Sequence, residues 1–278
     1  VLGSQHQRAS GPMTLWRLRA ARLASASVAL CGALETEKLL RNNPEKTARH
    51  SSRCELTDDM AARCELSDVD DGTVLTLEKL YARLPDVNDI PIVEQNQIDD
   101  SGGSEIYGEL TPRGVREVRE LLSPRKDDVF YDLGSGAGRF VLQAALEWPC
   151  SHAVGIELSR TRHRVGEVAL SRTAPFVRQR ATLRCADMLA CEGCEDATLI
   201  YVASLVFDDA FMRQLGTRLS QLPRLRAIAS LRPFPPGALP EFVPAKRNAA
   251  PDSDPATLRE RVEATWGATR VFIYARET

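Results

Sequence analysis

A chain of 278 residues can bury one sizeable core and still carry an appendage. Its 43% hydrophobic and 27% charged residues are those of an ordinary globular protein. The 36 Lys+Arg against 38 Asp+Glu leave a net charge of −2, which excludes a global basic field, so any contact with nucleic acid needs a local patch.

Residues 1–34 contain no Asp or Glu and carry Arg8, Arg17, Arg19 and Arg22. That is the composition of a mitochondrial or plastid presequence, or of a polar tail, and it is too charged for a membrane span. Residues 1–40 are therefore set apart as a targeting segment or disordered tail. A helical or irregular lead-in follows over 41–104. It contains the near-repeat Arg53-Cys-Glu-Leu-Thr-Asp58 and Arg63-Cys-Glu-Leu-Ser-Asp68, and apolar residues at helical spacing from Leu75 to Leu84. Asp99–Ser104 has the composition of a loop. Seven cysteines without framework spacing point to reduced thiols, and the lone Cys191-Glu-Gly-Cys194 lacks the second pair that zinc requires, so no metal is expected.

From residue 110 the pattern alternates. Thr111 reads as an N-cap with Pro112 at the first helical position, followed by a strand over 128–133 and a helix over 139–148. A strand over 152–158 leads into a helix capped by Ser159 and ending near 172. Strands over 180–185 and 199–204, a helix over 209–221 and a strand over 227–231 come next. Strands over 261–266 and 270–275, joined at Gly267, form a terminal hairpin. Alternation of this kind predicts an α/β doubly wound parallel sheet, here seven-stranded with the antiparallel hairpin at its end.

Gly134, Gly136 and Gly138 follow the first strand and open a helix, which lets the backbone approach a ligand and leaves helix N–H groups free. The loop is one residue shorter than a dinucleotide fingerprint and has Asp132 two positions before its first glycine. Glu157 closes the second strand, 19 residues after Gly138, where a carboxylate can take both hydroxyls of a ribose, and Asp187 follows the third. Three acids at three strand ends converge on one crevice. The segment Asp132-Leu-Gly-Ser-Gly-Ala-Gly138, with Ser135 inside it, resembles motif I of class I S-adenosylmethionine-dependent methyltransferases. The resemblance implies S-adenosyl-L-methionine as cofactor, with Asp132 near its ammonium group and Asp187 near its adenine.

Glu105-Ile-Tyr-Gly-Glu-Leu-Thr-Pro112, Gly155-Ile-Glu-Leu158, Tyr201–Phe207, Ser230–Phe234 and Ala264-Thr-Trp266 further resemble the non-SET histone lysine methyltransferases, the disruptor of telomeric silencing family, over roughly 105–276. The methyltransferase domain is accordingly expected over 105–278. The resemblance implies that Tyr107, Glu109 and Thr111 lie over the cofactor, and that Phe207, Phe234 and Trp266 line a lysine channel with Ser204 beside it. It makes histone H3 in a nucleosome the expected partner and the nucleus the expected compartment, with a non-histone, organellar target as the alternative. Arg113, Arg116, Arg119 and Arg125 supply a local patch for DNA, unless Glu117 and Glu120 balance it. Two departures stand out: Ala203-Ser204 replaces the family's usual Asn-Asn, and the basic nucleosome-binding tail is missing. The first also admits a scaffold that keeps the cofactor fold without turnover. The Asn/Asp-Pro-Pro-aromatic signature of amide and base methylation is absent after the fourth strand.

Overall fold

A computed structural model describes residues 72–190, 193–245 and 260–277. The presequence-like segment, the near-repeat and Cys191 lie outside the described residues. A helix over 72–81 (α1) is followed by α2 (Ile92–Asp100) and α3 (Pro112–Leu122). Then come β1 (Val129–Leu133), α4 (Arg139–Glu147), β2 (His152–Glu157), α5 (Arg160–Ser171), α6 (Pro175–Arg178) and β3 (Ala181–Cys185). β4 (Leu199–Val202), α7 (Asp209–Ser220), β5 (Ala227–Ser230), β6 (Phe242–Pro244), β7 (Glu260–Ala264) and β8 (Gly267–Arg276) complete the order.

The sheet runs β3-β2-β1-β4-β5-β8-β6, with β7 paired to β8. β1 to β5 are mutually parallel, and β8 is antiparallel to β5, β6 and β7. β1, β4 and β5 are buried along their whole length, as parallel strands covered on both faces must be. One core layer joins α1, α3 and α4 to the sheet through Leu77, Val118, Phe130 and Trp148; the other joins α7 through Met212, Leu215 and Ile228. Chain order reverses direction between β1 and β4, so the connections leaving their carboxyl ends run to opposite sides and open a crevice there.

The structure bears out the mostly parallel sheet with antiparallel end strands, to which the described residues add the three-residue β6, too short to show a period in the sequence. It corrects three expectations. Asp99 and Asp100 belong to α2, a helix with no apolar stripe and one buried residue, Ile98. The hairpin turns at Thr265-Trp266, and Gly267 opens β8 with φ 111°. Cys150 and Cys185 are free, but Cys194 is disulfide-bonded.

Candidate active site

The glycine loop connects β1 to α4. Gly134, Gly136 and Gly138 all have positive φ, and a Cβ on Gly136 would lie 2.3 Å from the Tyr107 ring. Only glycine allows that approach. Gly134 N and Ser135 N both donate to Ile156 O, which ties the loop to the end of β2. Gly138 caps α4 and closes on Leu183.

Over this loop runs a strap, residues 105–111. The Tyr107 hydroxyl donates to Glu109 Oε1 at 2.5 Å and accepts from Ala137 N at 3.2 Å. Arg139, the first residue of α4, pairs with Glu109 Oε2 at 3.1 Å. Strap and hairpin are joined: Leu110 bridges to Ala264, Thr111 N donates to Glu263 O, and Thr265 N donates to Glu109 O. Trp266 packs against Gly108 yet stays 47% exposed.

Between strap and strand ends lies a cleft open to solvent. Tyr107, Glu109, Asp132, Gly134, Ser135, Glu157, Asp187 and Phe207 all line it. Gly136 and Gly138 shape its floor without lining it. Thr111, Ser204 and Phe234 lie elsewhere. Thr111 Oγ1 caps α3, accepting from Gly114 N at 3.1 Å and donating to Glu263 Oε2 at 2.7 Å. Ser204 Oγ is buried behind the wall, bonded to Ser230 Oγ at 2.7 Å and accepting from Arg232 N at 3.0 Å. The Phe234 ring meets Tyr274 edge-on at 5.5 Å in the core, while Ala203 and Tyr201 do reach the cleft.

The acids are unevenly supplied with partners. Glu157 accepts from Gly136 N and Ser159 N, each at 2.8 Å, one on each carboxylate oxygen. Burial raises its carboxyl above the usual range despite those bonds and the Arg162 charge. Asp132 is buried with no cationic partner among the described residues, and burial, then the charges of Glu157 and Glu109, raise it to about 8. Glu109 is also raised by burial, against the opposing Tyr107 bond and Arg139 charge. Asp187 accepts from Leu189 N at 2.8 Å. Three carboxyls raised by burial in one cleft favour a ligand that brings positive charge, Asp132 most of all. A ligand that donates from an ammonium group and vicinal hydroxyls fits this set of acceptors. Among the described residues no group of three or more His, Cys, Asp or Glu could hold a metal ion. His152 bonds Thr182 at a strand edge, and neither it nor His163 lines the cleft.

Sequence reasoning missed Ile98, Ser101, Arg139, Arg162 and Met188 as lining residues. Arg139 directly follows the glycine loop, a position that could have pointed to it; α2 gave no periodic signal at all. The arginine patch is partly consumed within the molecule: Arg113 pairs with Glu117 and Arg116 with Glu147. Arg119 and Arg125 remain exposed.

Comparison with known proteins now bears on this geometry. A Caenorhabditis elegans protein named "Histone-lysine N-methyltransferase, H3 lysine-79 specific" is 32% identical over 136 residues, which is 45% of this chain and 14% of that protein. A Drosophila melanogaster protein of the same name is 30% identical over 141 residues, 48% of this chain and 8% of its own length. The chain thus spans a small part of the length of the curated relatives it matches. A solved structure described as "Crystal structure of TrmN from Thermus thermophilus" superposes with a TM-score of 0.44 at 18% identity, over 60% of this chain and 49% of that one. The sequence model of the family described as "Histone methylation protein DOT1" matches residues 91–241, more than half of the 278 residues and a span containing the strap, the glycine loop and Glu157, and the chain belongs to that family.

Proposed function

We propose that the protein is an S-adenosylmethionine-dependent lysine methyltransferase acting on a lysine of the folded surface of histone H3. The observation that carries this reading is the one cleft shared by the glycine loop, Glu157, an Asp132 with no cationic partner among the described residues, and the Tyr107–Glu109 strap. Relatives named for H3 lysine-79 supply the acceptor. Glu157 keeps free lone pairs for two ribose hydroxyls, Asp187 faces an adenine amine, and Asp132 with Glu109 faces the ammonium of the methionine portion. When bound, the cofactor supplies an electrophilic methyl on a sulfonium sulfur. The chain's own residues hold and align it.

The acceptor lysine titrates near 10.4 in water and must be neutral to attack. Desolvation against Tyr201, Ala203 and Phe207 lowers that value, so no dedicated base is needed. Ser204 acts from behind, as a brace between the loops after β4 and β5, and Phe234 as part of the same packing. Ala203 offers no amide to the acceptor, which leaves the wall itself to orient the amine. The protein works in the nucleus, on chromatin.

The test compares labelled-methyl transfer to intact nucleosomes, free histones and an organelle extract at two salt concentrations. Transfer to H3 in nucleosomes supports the reading, and a steep fall with salt adds phosphate contacts, for which Arg119 and Arg125 are the exposed candidates. Labelling of an extract protein with nucleosomes untouched ends the histone assignment and leaves the methyltransferase standing.

A further inference from the structure

Helix α2 buries only Ile98 and leaves Ile92 and Val93 exposed. Nine residues with so little apolar contact do not form a stable, oriented helix by themselves. A polar anchor takes over that task. Glu94 Oε2 accepts from Ser159 Oγ at 2.5 Å and from Thr161 N at 3.1 Å, and its Oε1 accepts from Thr161 Oγ1 at 2.9 Å. The carboxylate therefore sits on the first turn of α5, where unpaired N–H groups and the helix dipole favour a negative charge.

Both ends of this contact lead into the cleft. On the α2 side, Ile98 O accepts from Ser101 Oγ at 2.7 Å and from Gly103 N at 3.0 Å, so the helix end dictates where Ser101, Gly103 and Ser104 stand in the cleft wall. On the α5 side, Ser159 N donates to Glu157, and buried Arg162 donates to Glu105 O at 2.6 Å with its guanidinium 4.8 Å from the Tyr107 ring centre.

We propose that Glu94 is a positioning residue: its latch from α2 to the first turn of α5 sets the loop over 101–107 that closes the cleft, and it governs cofactor affinity rather than turnover. The proposal rests on the S-adenosylmethionine reading above. It is tested with Glu94→Ala and Glu94→Gln beside the control Glu147→Gln, which removes the Arg116 partner between α3 and α4. The readouts are the S-adenosylhomocysteine dissociation constant, kcat at saturating cofactor, and amide hydrogen exchange over 101–107 in the ligand-free protein.

Loss of the charged acceptor in Glu94→Ala should weaken binding by about tenfold or more, and Glu94→Gln by less, with kcat within about twofold of wild type. Exchange over 101–107 should rise in both variants and stay unchanged in the control. An unchanged dissociation constant with unchanged exchange overturns the latch, as does a fall in kcat alone. Should Glu94→Ala not fold, Glu94→Gln decides on the same readouts. Failure of the wild type to bind S-adenosylhomocysteine overturns the cofactor reading instead, and the exchange comparison still decides whether Glu94 sets the loop.

Discussion

Asp128 and Asp132 stand four residues apart at opposite ends of β1, and both are buried, yet the protein treats them in opposite ways. Asp128, at the amino end, is fully partnered: Arg226 clasps it through two nitrogens, and Thr198 Oγ1 and Arg125 N donate to it at 2.8 and 2.6 Å. Burial opposes its ionisation, but those donors and the Arg226 charge hold it below the usual carboxyl range. Asp132, at the carboxyl end, has no cation and carboxyl neighbours, and it is held up near 8. One end of the sheet is satisfied within the chain; the other holds a buried acid without a cationic partner among the described residues. Under the proposed function that difference is a division of labour, with the carboxyl end, where open sheets bind ligands, left for the cofactor.

The largest expected effect falls on the binding end. Glu157→Ala removes a charged acceptor for two hydroxyls and should cost roughly 2–4 kcal/mol of cofactor affinity, with a smaller loss of stability, about 1–3 kcal/mol, because Gly136 N and Ser159 N lose their acceptor. Calorimetry reads this directly, and an unchanged dissociation constant would reduce Glu157 to a brace for the loop. At the other end, Asp128→Asn strands Arg226 and should cost about 2 kcal/mol of stability with cofactor affinity intact, as measured by denaturant unfolding and calorimetry. Loss of affinity there would erase the division between the two ends.

The two acids also predict opposite pH dependences. The raised Asp132 favours its protonated, folded form, so its contribution to stability is complete below about 4 and is lost as pH rises toward about 8. The lowered Asp128 contributes above the ordinary carboxyl range and loses that contribution as pH falls below it. Melting temperatures of the ligand-free protein between pH 3 and 9 should therefore flatten on the alkaline side in Asp132→Asn and on the acid side in Asp128→Asn. The same slopes in both variants would contradict the assignment. The smallest effect belongs to Thr111→Ala, which loses an N-cap and about 1 kcal/mol of stability, with no change in cofactor affinity. Weaker binding in that variant would return Thr111 to the cleft.

The parts legible in the sequence are those where one residue type has one physical reason to be there. Three positive-φ glycines, an acid at each strand end and capping by Thr111 and Ser159 are decided locally, and they stand where the residues placed them. α2 was not legible because a helix held by one carboxylate and one isoleucine has no period. β6 was too short to read. Ser204 and Phe234 were assigned to the channel by resemblance, but which side of a wall a residue occupies depends on partners far along the chain. Here those partners are Ser230, Arg232 and Tyr274.

A carboxyl-end cleft that binds a cofactor takes a ligand bearing an ammonium group and hydroxyls, and calorimetry of the wild-type protein with S-adenosylhomocysteine at pH 7, in two buffers of different ionisation enthalpy, measures this. Binding should be one-to-one with proton release, because the ligand's ammonium stabilises ionised Asp132, and that release should be lost in Asp132→Asn. Absence of binding, or binding of NADH in its place, would contradict the cofactor assignment.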